Sequence, residues 1–118
     1  MKINYDPQTG LIPVIIQDSN TLQVLMLGYM NAEAFKKTEE EKIVTFFSRS
    51  KNRLWTKGES SGHYLMVNSI KLDCDQDTLL IKVTAMGPTC HTGKSSCFED
   101  EVSPRGFLYV LEQIIANR

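Results

Sequence analysis

The sequence predicts an α+β domain built on a mainly antiparallel sheet with few short helices. Three observations carry the prediction. Apolar runs over residues 11–17, 24–29 and 43–47, the first rich in β-branched residues, and alternating runs over 64–72 and 78–86 are separated by polar segments. Helix signals mark only two stretches, one opening at Ala32 and one following Ser103. Two long stretches, 48–62 and 87–100, have no apolar period and read as functional loops.

Each element follows from its residues. Residues 11–17 (LIPVIIQ) form a strand ending at the turn residues Asp18, Ser19 and Asn20, and Pro13 places it at a sheet edge or near a strand start. Residues 24–29 (VLMLGY) follow across a short turn, so the two make a hairpin. Asn31 fits a helix N-cap, and Met30 and Phe35 stand at the spacing of a hydrophobic staple. The helix ends near Glu41 and residues 43–47 (IVTFF) make a third strand. Residues 64–72 and 78–86 alternate as two further strands, with the acidic turn Asp73-Cys74-Asp75-Gln76-Asp77 between them. Ser103 and Pro104 fit an N-cap and first helical position, with Phe107, Leu108, Leu111, Ile114 and Ile115 at helical spacing.

Length and composition bound the function. A chain of 118 residues makes one domain. At this size it buries roughly two-thirds of its unfolded surface, so no staples are needed. Hydrophobic residues at 42% and charged residues at 23% exclude a disordered chain. A net charge of -1 supplies no bulk attraction to nucleic acid or an anionic membrane. No apolar run reaches the length of a membrane span, and the first residues lack the apolar core of a signal peptide. The expected location is cytoplasmic. Three cysteines, an odd number in a reducing compartment, argue against a disulfide framework.

Cys74, Cys90 and Cys97 include no C-x-x-C pair, which excludes a zinc ribbon. Three thiolates leave one tetrahedral position open, the pattern of a catalytic zinc. Three thiols packed as small apolar groups remain the alternative. His91, next to Cys90, reads as an acid or base beside the metal rather than as its fourth ligand. Asp73, Asp75 and Asp77 share one face if their segment is extended, and three such carboxylates suit a hard cation such as Mg²⁺. A solvated acidic turn is the alternative. An EF-hand is excluded, because Thr78 and Thr84 occupy the positions of its glycine and its final glutamate. Arg49, Lys51, Arg53 and Lys57 lie among Ser48, Ser50, Thr56, Gly58, Ser60, Ser61 and Gly62, a composition that suits phosphate. Trp55 adds a flat face for a base. The same set suits single-stranded nucleic acid, but the acidic balance of the whole favours a small anionic ligand.

The segments GLIPVIIQD, VLMLGYMN, FFSRSKNRLWTKGESSGH, IKLDCDQD and GPTCHTGKSSCF, in this order, closely resemble phosphoribosyl-AMP cyclohydrolase. The resemblance implies an enzyme of histidine biosynthesis that opens the adenine ring of N1-(5-phosphoribosyl)-AMP at the N1–C6 bond. It implies a homodimer with metal sites at the subunit interface, zinc on Cys74, Cys90 and Cys97, and Mg²⁺ on Asp73, Asp75 and Asp77. It also implies His91 as the catalytic acid–base group. Substrate contacts are expected at Arg49, Arg53, Trp55, Lys57, Glu59, Ser61 and His63. The cyclohydrolase domain is expected over residues 1–102. The helix over 103–118 resembles the start of a phosphoribosyl-ATP pyrophosphatase domain, as in bifunctional polypeptides that join the two.

Overall fold

The computed structural model describes residues 1–98, so the helix expected over 103–118 and the domain boundary at 102 lie outside the described residues. Six strands and one helix follow in the order β1 (Ile12–Asp18), β2 (Val24–Met30), α1 (Ala32–Glu41), β3 (Thr45–Ser48), β4 (Arg53–Thr56), β5 (Leu65–Leu72) and β6 (Leu79–Ala85). They form a four-stranded sheet in the order β2-β1-β6-β5 and a two-stranded sheet of β3 and β4. The α+β, mainly antiparallel architecture is as expected.

The centre of the large sheet is parallel. β1 runs alongside β6 from Val14 opposite Leu79 to Asp18 opposite Val83. The two outer pairings, β1 with β2 and β5 with β6, are antiparallel. A tight turn cannot join parallel neighbours, so the chain makes β2, α1, β3, β4 and β5 before it returns to β1. Pro13 therefore sits near the start of an interior strand, ahead of the register with β6, where its missing N–H leaves that pairing intact. Alternation does the rest: Ile12, Val14 and Ile16 of β1 and Leu79, Ile81 and Val83 of β6 are buried on one face.

The helix begins as its residues dictate. Asn31 accepts a hydrogen bond from the Ala34 N–H at 2.8 Å. Lys42, in the left-handed region at φ 62°, ends the helix and donates its N–H to the Thr38 carbonyl. Ala34, Phe35 and Thr38 form the buried stripe. Thr38 ties the helix to the small sheet: its hydroxyl donates to the Ala34 carbonyl at 2.8 Å and accepts from the Thr45 N–H at 2.9 Å. Met30 and Phe35, the expected staple, both belong to the apolar core of the described residues, with Phe46 and Leu65.

The stretch 48–62 is not all loop. Residues 53–56 form β4, which pairs antiparallel with β3 from Thr45 opposite Thr56 to Ser48 opposite Arg53. Its side chains are exposed or half-buried with no alternation, so a four-residue strand among polar neighbours leaves no period to read. Asn52 turns the hairpin at φ 50°, a conformation asparagine tolerates. Phe46 and Trp55 then meet across the hairpin with ring centroids 5.6 Å apart and planes tilted by 38°. Residues 42–44 join this small sheet to β5 through the Val44 N–H to the Leu65 carbonyl and the Val67 N–H to the Lys42 carbonyl.

Candidate functional site

The acidic segment is a tight turn rather than an extended strand. The Asp73 carboxylate accepts from the N–H groups of Asp77 at 3.0 Å and Thr78 at 3.1 Å, and Gln76 adopts φ 66°. The turn nonetheless gathers the carboxylates. Asp73, Asp75 and Asp77 each offer an oxygen within 4.8 Å of the others, and all three are exposed. Turn closure, not strand alternation, is what brings them together. The N-terminal segment braces the turn: Asn4 donates its backbone N–H to the Gln76 carbonyl and its side-chain amide to the Asp75 carbonyl. Asn4, Asp6, Asp75 and Asp77 border a cavity of about 460 Å³.

The three carboxylates differ in acidity. Against the upward push of partial desolvation, the N–H groups of Asp77 and Thr78 and a hydrogen bond with Asp75 hold Asp73 below the usual carboxylate range. Asp75 is pushed up by hydrogen bonds shared with Asp77 and Asp73 and by their negative charges. A cation among them would relieve that repulsion, and an oxygen-only donor set suits Mg²⁺.

The cysteines divide into a pair and a single. Cys97 is seated by its N–H on the Leu25 carbonyl at 2.8 Å, while the buried Ser96 hydroxyl donates to the Val24 carbonyl at 2.6 Å. Cys90 sits in a turn closed by its own N–H to the Lys94 carbonyl, with Gly93 at φ 90°. These anchors place the two thiols within hydrogen-bonding reach of each other. The Thr92 hydroxyl, 3.1 Å from the Cys90 sulfur, and the Thr92 backbone hold Cys90 below the ordinary thiol range. Burial, then the hydrogen bond to Cys90 and its charge, pushes Cys97 up. Two adjoining thiols of split acidity fit a soft metal such as zinc.

Cys74 does not join them. It lies in the turn before β6, whereas Cys90 and Cys97 lie in the segment after it. A strand of seven residues is roughly 20 Å long, so the two ends of β6 cannot serve one ion. Among the described residues, the aspartate triad is the one group of three or more such ligand side chains gathered in one place.

His91 is exposed beside the cysteine pair. With Cys90, Lys57, Ser61, His63 and Thr89 it lines a cavity of about 280 Å³. Two glycines position His63. A Cβ on Gly87 would stand 2.5 Å from the His63 ring, and one on Gly58, at φ +94°, 2.6 Å from the His63 backbone. The basic segment divides. Lys57 lies over the Trp55 ring at 5.4 Å. Arg53 pairs with Glu59 at 2.9 Å, and the Arg53 hydrogen bond holds Glu59 below its ordinary range. Lys51, Arg53, Trp55 and Glu59 border a second cavity of about 290 Å³. Arg49 instead lies over the Tyr29 ring of β2 at 5.1 Å and lines neither cavity. Sequence reasoning did not single out Thr89 or Thr92, because short neutral residues carry neither charge nor period to mark them.

A turn of carboxylates at one end of a sheet, and a thiol pair beside a histidine and a cation-lined cavity at the other, define a small α+β protein with two kinds of candidate ligand site. Residues 26–99 match the phosphoribosyl-AMP cyclohydrolase family, and the chain belongs to that family. Its relatives include the "Histidine biosynthesis bifunctional protein HisIE" of Photobacterium profundum, 56% identical over 98% of this chain and 59% of its own length. The protein of that name from Staphylococcus epidermidis is 62% identical over 93% of this chain and 52% of its length. That from Pasteurella multocida is 60% identical over 100% of this chain and 61% of its length. The chain thus spans 52% to 61% of the length of these relatives.

Proposed function

We infer that this chain hydrolyses the N1–C6 bond of N1-(5-phosphoribosyl)-AMP, the third step of histidine biosynthesis, giving the phosphoribosyl-formimino aminoimidazole carboxamide ribotide. Family membership is the observation that carries this reading, and the Cys90–Cys97 pair beside His91 and Lys57 supports it. The relatives' bifunctional name supports the view that the chain carries one of two activities. A soluble metabolite as substrate fits an enzyme of the cytoplasm.

The residues present fit zinc on Cys90 and Cys97, with Cys74 as the third ligand, and Mg²⁺ on Asp73, Asp75 and Asp77. Because β6 separates Cys74 from the other two, the third thiolate comes from a second copy of the chain, which makes the enzyme a homodimer with its metal sites at the interface. When bound, zinc lowers the pKa of a coordinated water toward neutrality.

The chain's own groups do the rest. The N1 substituent makes the ring amidine cationic and C6 electrophilic. Water adds to C6, the N1–C6 bond breaks, C6 becomes a carboxamide and N1 leaves as an amidine nitrogen. His91 takes the proton from the attacking water and returns it toward the leaving nitrogen. Trp55 offers a face to the purine, and Arg53, Lys57 and Ser61 hold the phosphates, with Arg49, Glu59 and His63 completing the substrate surface.

The test is an ultraviolet assay of ring opening with metal-free and zinc-restored protein. Zinc restores turnover, and His91→Ala lowers it by about 10²–10⁴-fold while zinc content and dimerisation stay as in the native chain. An inert zinc-restored protein refutes the reading. Zinc lost in step with rate would make His91 a ligand rather than the base.

A further inference from the structure

The segment after β6 holds a buried hydroxyl that the chemistry above does not use. Thr89 is 1% exposed. Its Oγ1 is, among the described residues, the one buried side-chain oxygen or nitrogen without a hydrogen-bond partner. Other buried hydroxyls are satisfied: Thr38 by Ala34 and Thr45, Thr45 by Thr56, Ser96 by Val24. Thr89 borders the cavity beside Cys90, and buried polar groups are almost always paired, so its orphan hydroxyl is a donor still to be matched by an acceptor there.

The other groups around that cavity say what the acceptor is. Lys57 brings a positive charge to it. Ser61 accepts the His63 N–H at 3.2 Å, which leaves its own O–H to donate. Among the described residues, no carboxylate lines the cavity. In the neighbouring cavity, by contrast, Glu59 is paired with Arg53. One cation and two hydroxyl donors, with no carboxylate among the described lining residues, are complementary to an oxyanion.

We propose that Thr89 is a substrate-binding residue whose hydroxyl donates to a phosphate group held against Lys57 and Ser61 in the cavity beside Cys90. The inference deepens the proposed function and rests on it for the identity of the ligand, because a substrate with two phosphate groups needs two such seats. It assigns one of them to the Thr89 cavity rather than to Arg53.

Calorimetric titration of the full chain with inorganic phosphate tests this without any turnover. Thr89→Val removes the hydroxyl at nearly constant volume, and Thr89→Ser keeps it. The native chain binds phosphate saturably, Thr89→Val weakens it about tenfold and Thr89→Ser by no more than about twofold. Zinc content and melting temperature do not fall in Thr89→Val, since an unpaired donor is being removed rather than a contact. In the ring-opening assay KM rises while kcat is retained. Lys57→Met removes the same part of the phosphate binding as Thr89→Val, whereas Arg53→Met, in the neighbouring cavity, leaves that part in place.

Absence of saturable phosphate binding to the native chain overturns the proposal, as does unchanged affinity in Thr89→Val. Loss of zinc in Thr89→Val would instead make the hydroxyl a support for the metal. Weakening by Arg53→Met alone would move the phosphate to the other cavity. A chain that opens no purine ring, yet loses phosphate on Thr89→Val, would refute the proposed reaction and leave this site standing.

Discussion

Gly87 has no side chain because the His63 ring occupies the space where one would be, 2.5 Å from an added Cβ. That distance is well inside van der Waals contact, so an alanine there pushes the ring or the backbone. Gly87→Ala should cost about 1–3 kcal/mol of stability, the usual penalty of overpacking, and should raise KM for the substrate as His63 shifts in the cavity wall. Urea unfolding and steady-state kinetics on one variant check both. An alanine tolerated without change in either would mean that the ring is free to move. The glycine is plain in the sequence, but its reason is not: His63 lies 24 residues earlier and meets Gly87 only through the pairing of β5 with β6.

At the scale of the element, one carboxylate braces the turn of the β1–β2 hairpin. Asp18 accepts from the N–H groups of Asn20 at 2.8 Å and Thr21 at 2.9 Å, and its own N–H reaches the Gln23 carbonyl. The Thr21 and Asn20 backbone bonds hold its carboxyl below the ordinary value of 3.8. A depressed folded-state pKa stabilises the fold fully above the unfolded value, and the gain is lost as pH falls through the depressed one. Asp18→Asn keeps an acceptor oxygen without the charge. It should therefore melt below the native chain at pH 7, with the gap closing under pH 3.8. Melting curves across that range check the sign, and a gap that widens in acid would rule it out. The hairpin was legible from its turn residues; β4 was not, because its four residues are held by backbone pairing to β3 and carry no pattern of their own.

At the scale of the whole molecule, the seven residues of β6 separate the acidic turn and Cys74 from Cys90, His91 and Cys97. A zinc site with three cysteines then needs two chains, and a two-fold pair supplies two such sites. Cys74→Ser and Cys97→Ser should each lose zinc when prepared alone. Refolded together, each mixed dimer regains one of its two sites, since one chain brings an intact Cys74 and the other an intact Cys90–Cys97 pair. Elemental analysis and the ring-opening assay on the mixture give the answer. No recovery in demonstrated mixed dimers would place all three ligands in one chain. Exposed Val24, Leu27 and Tyr29 on the outer strand β2 are apolar surface suited to such a contact.

Local chemistry was decided by the sequence alone: the strand alternation of β1 and β6, the Asn31 cap, the Asp18 turn and the residue types of the candidate site. Each depends on neighbours a few positions away, where side-chain period and turn propensity act directly. Tertiary structure decided what depends on distant segments. It paired β1 with β6 in parallel across more than half the described chain, drew the carboxylates together by a turn rather than a strand, and seated Cys97 on the Leu25 carbonyl so that it meets Cys90. It also left the Thr89 hydroxyl without a partner in a cavity wall. Contacts of that kind are set by which surfaces the whole core must bury together, and no window of the sequence contains them.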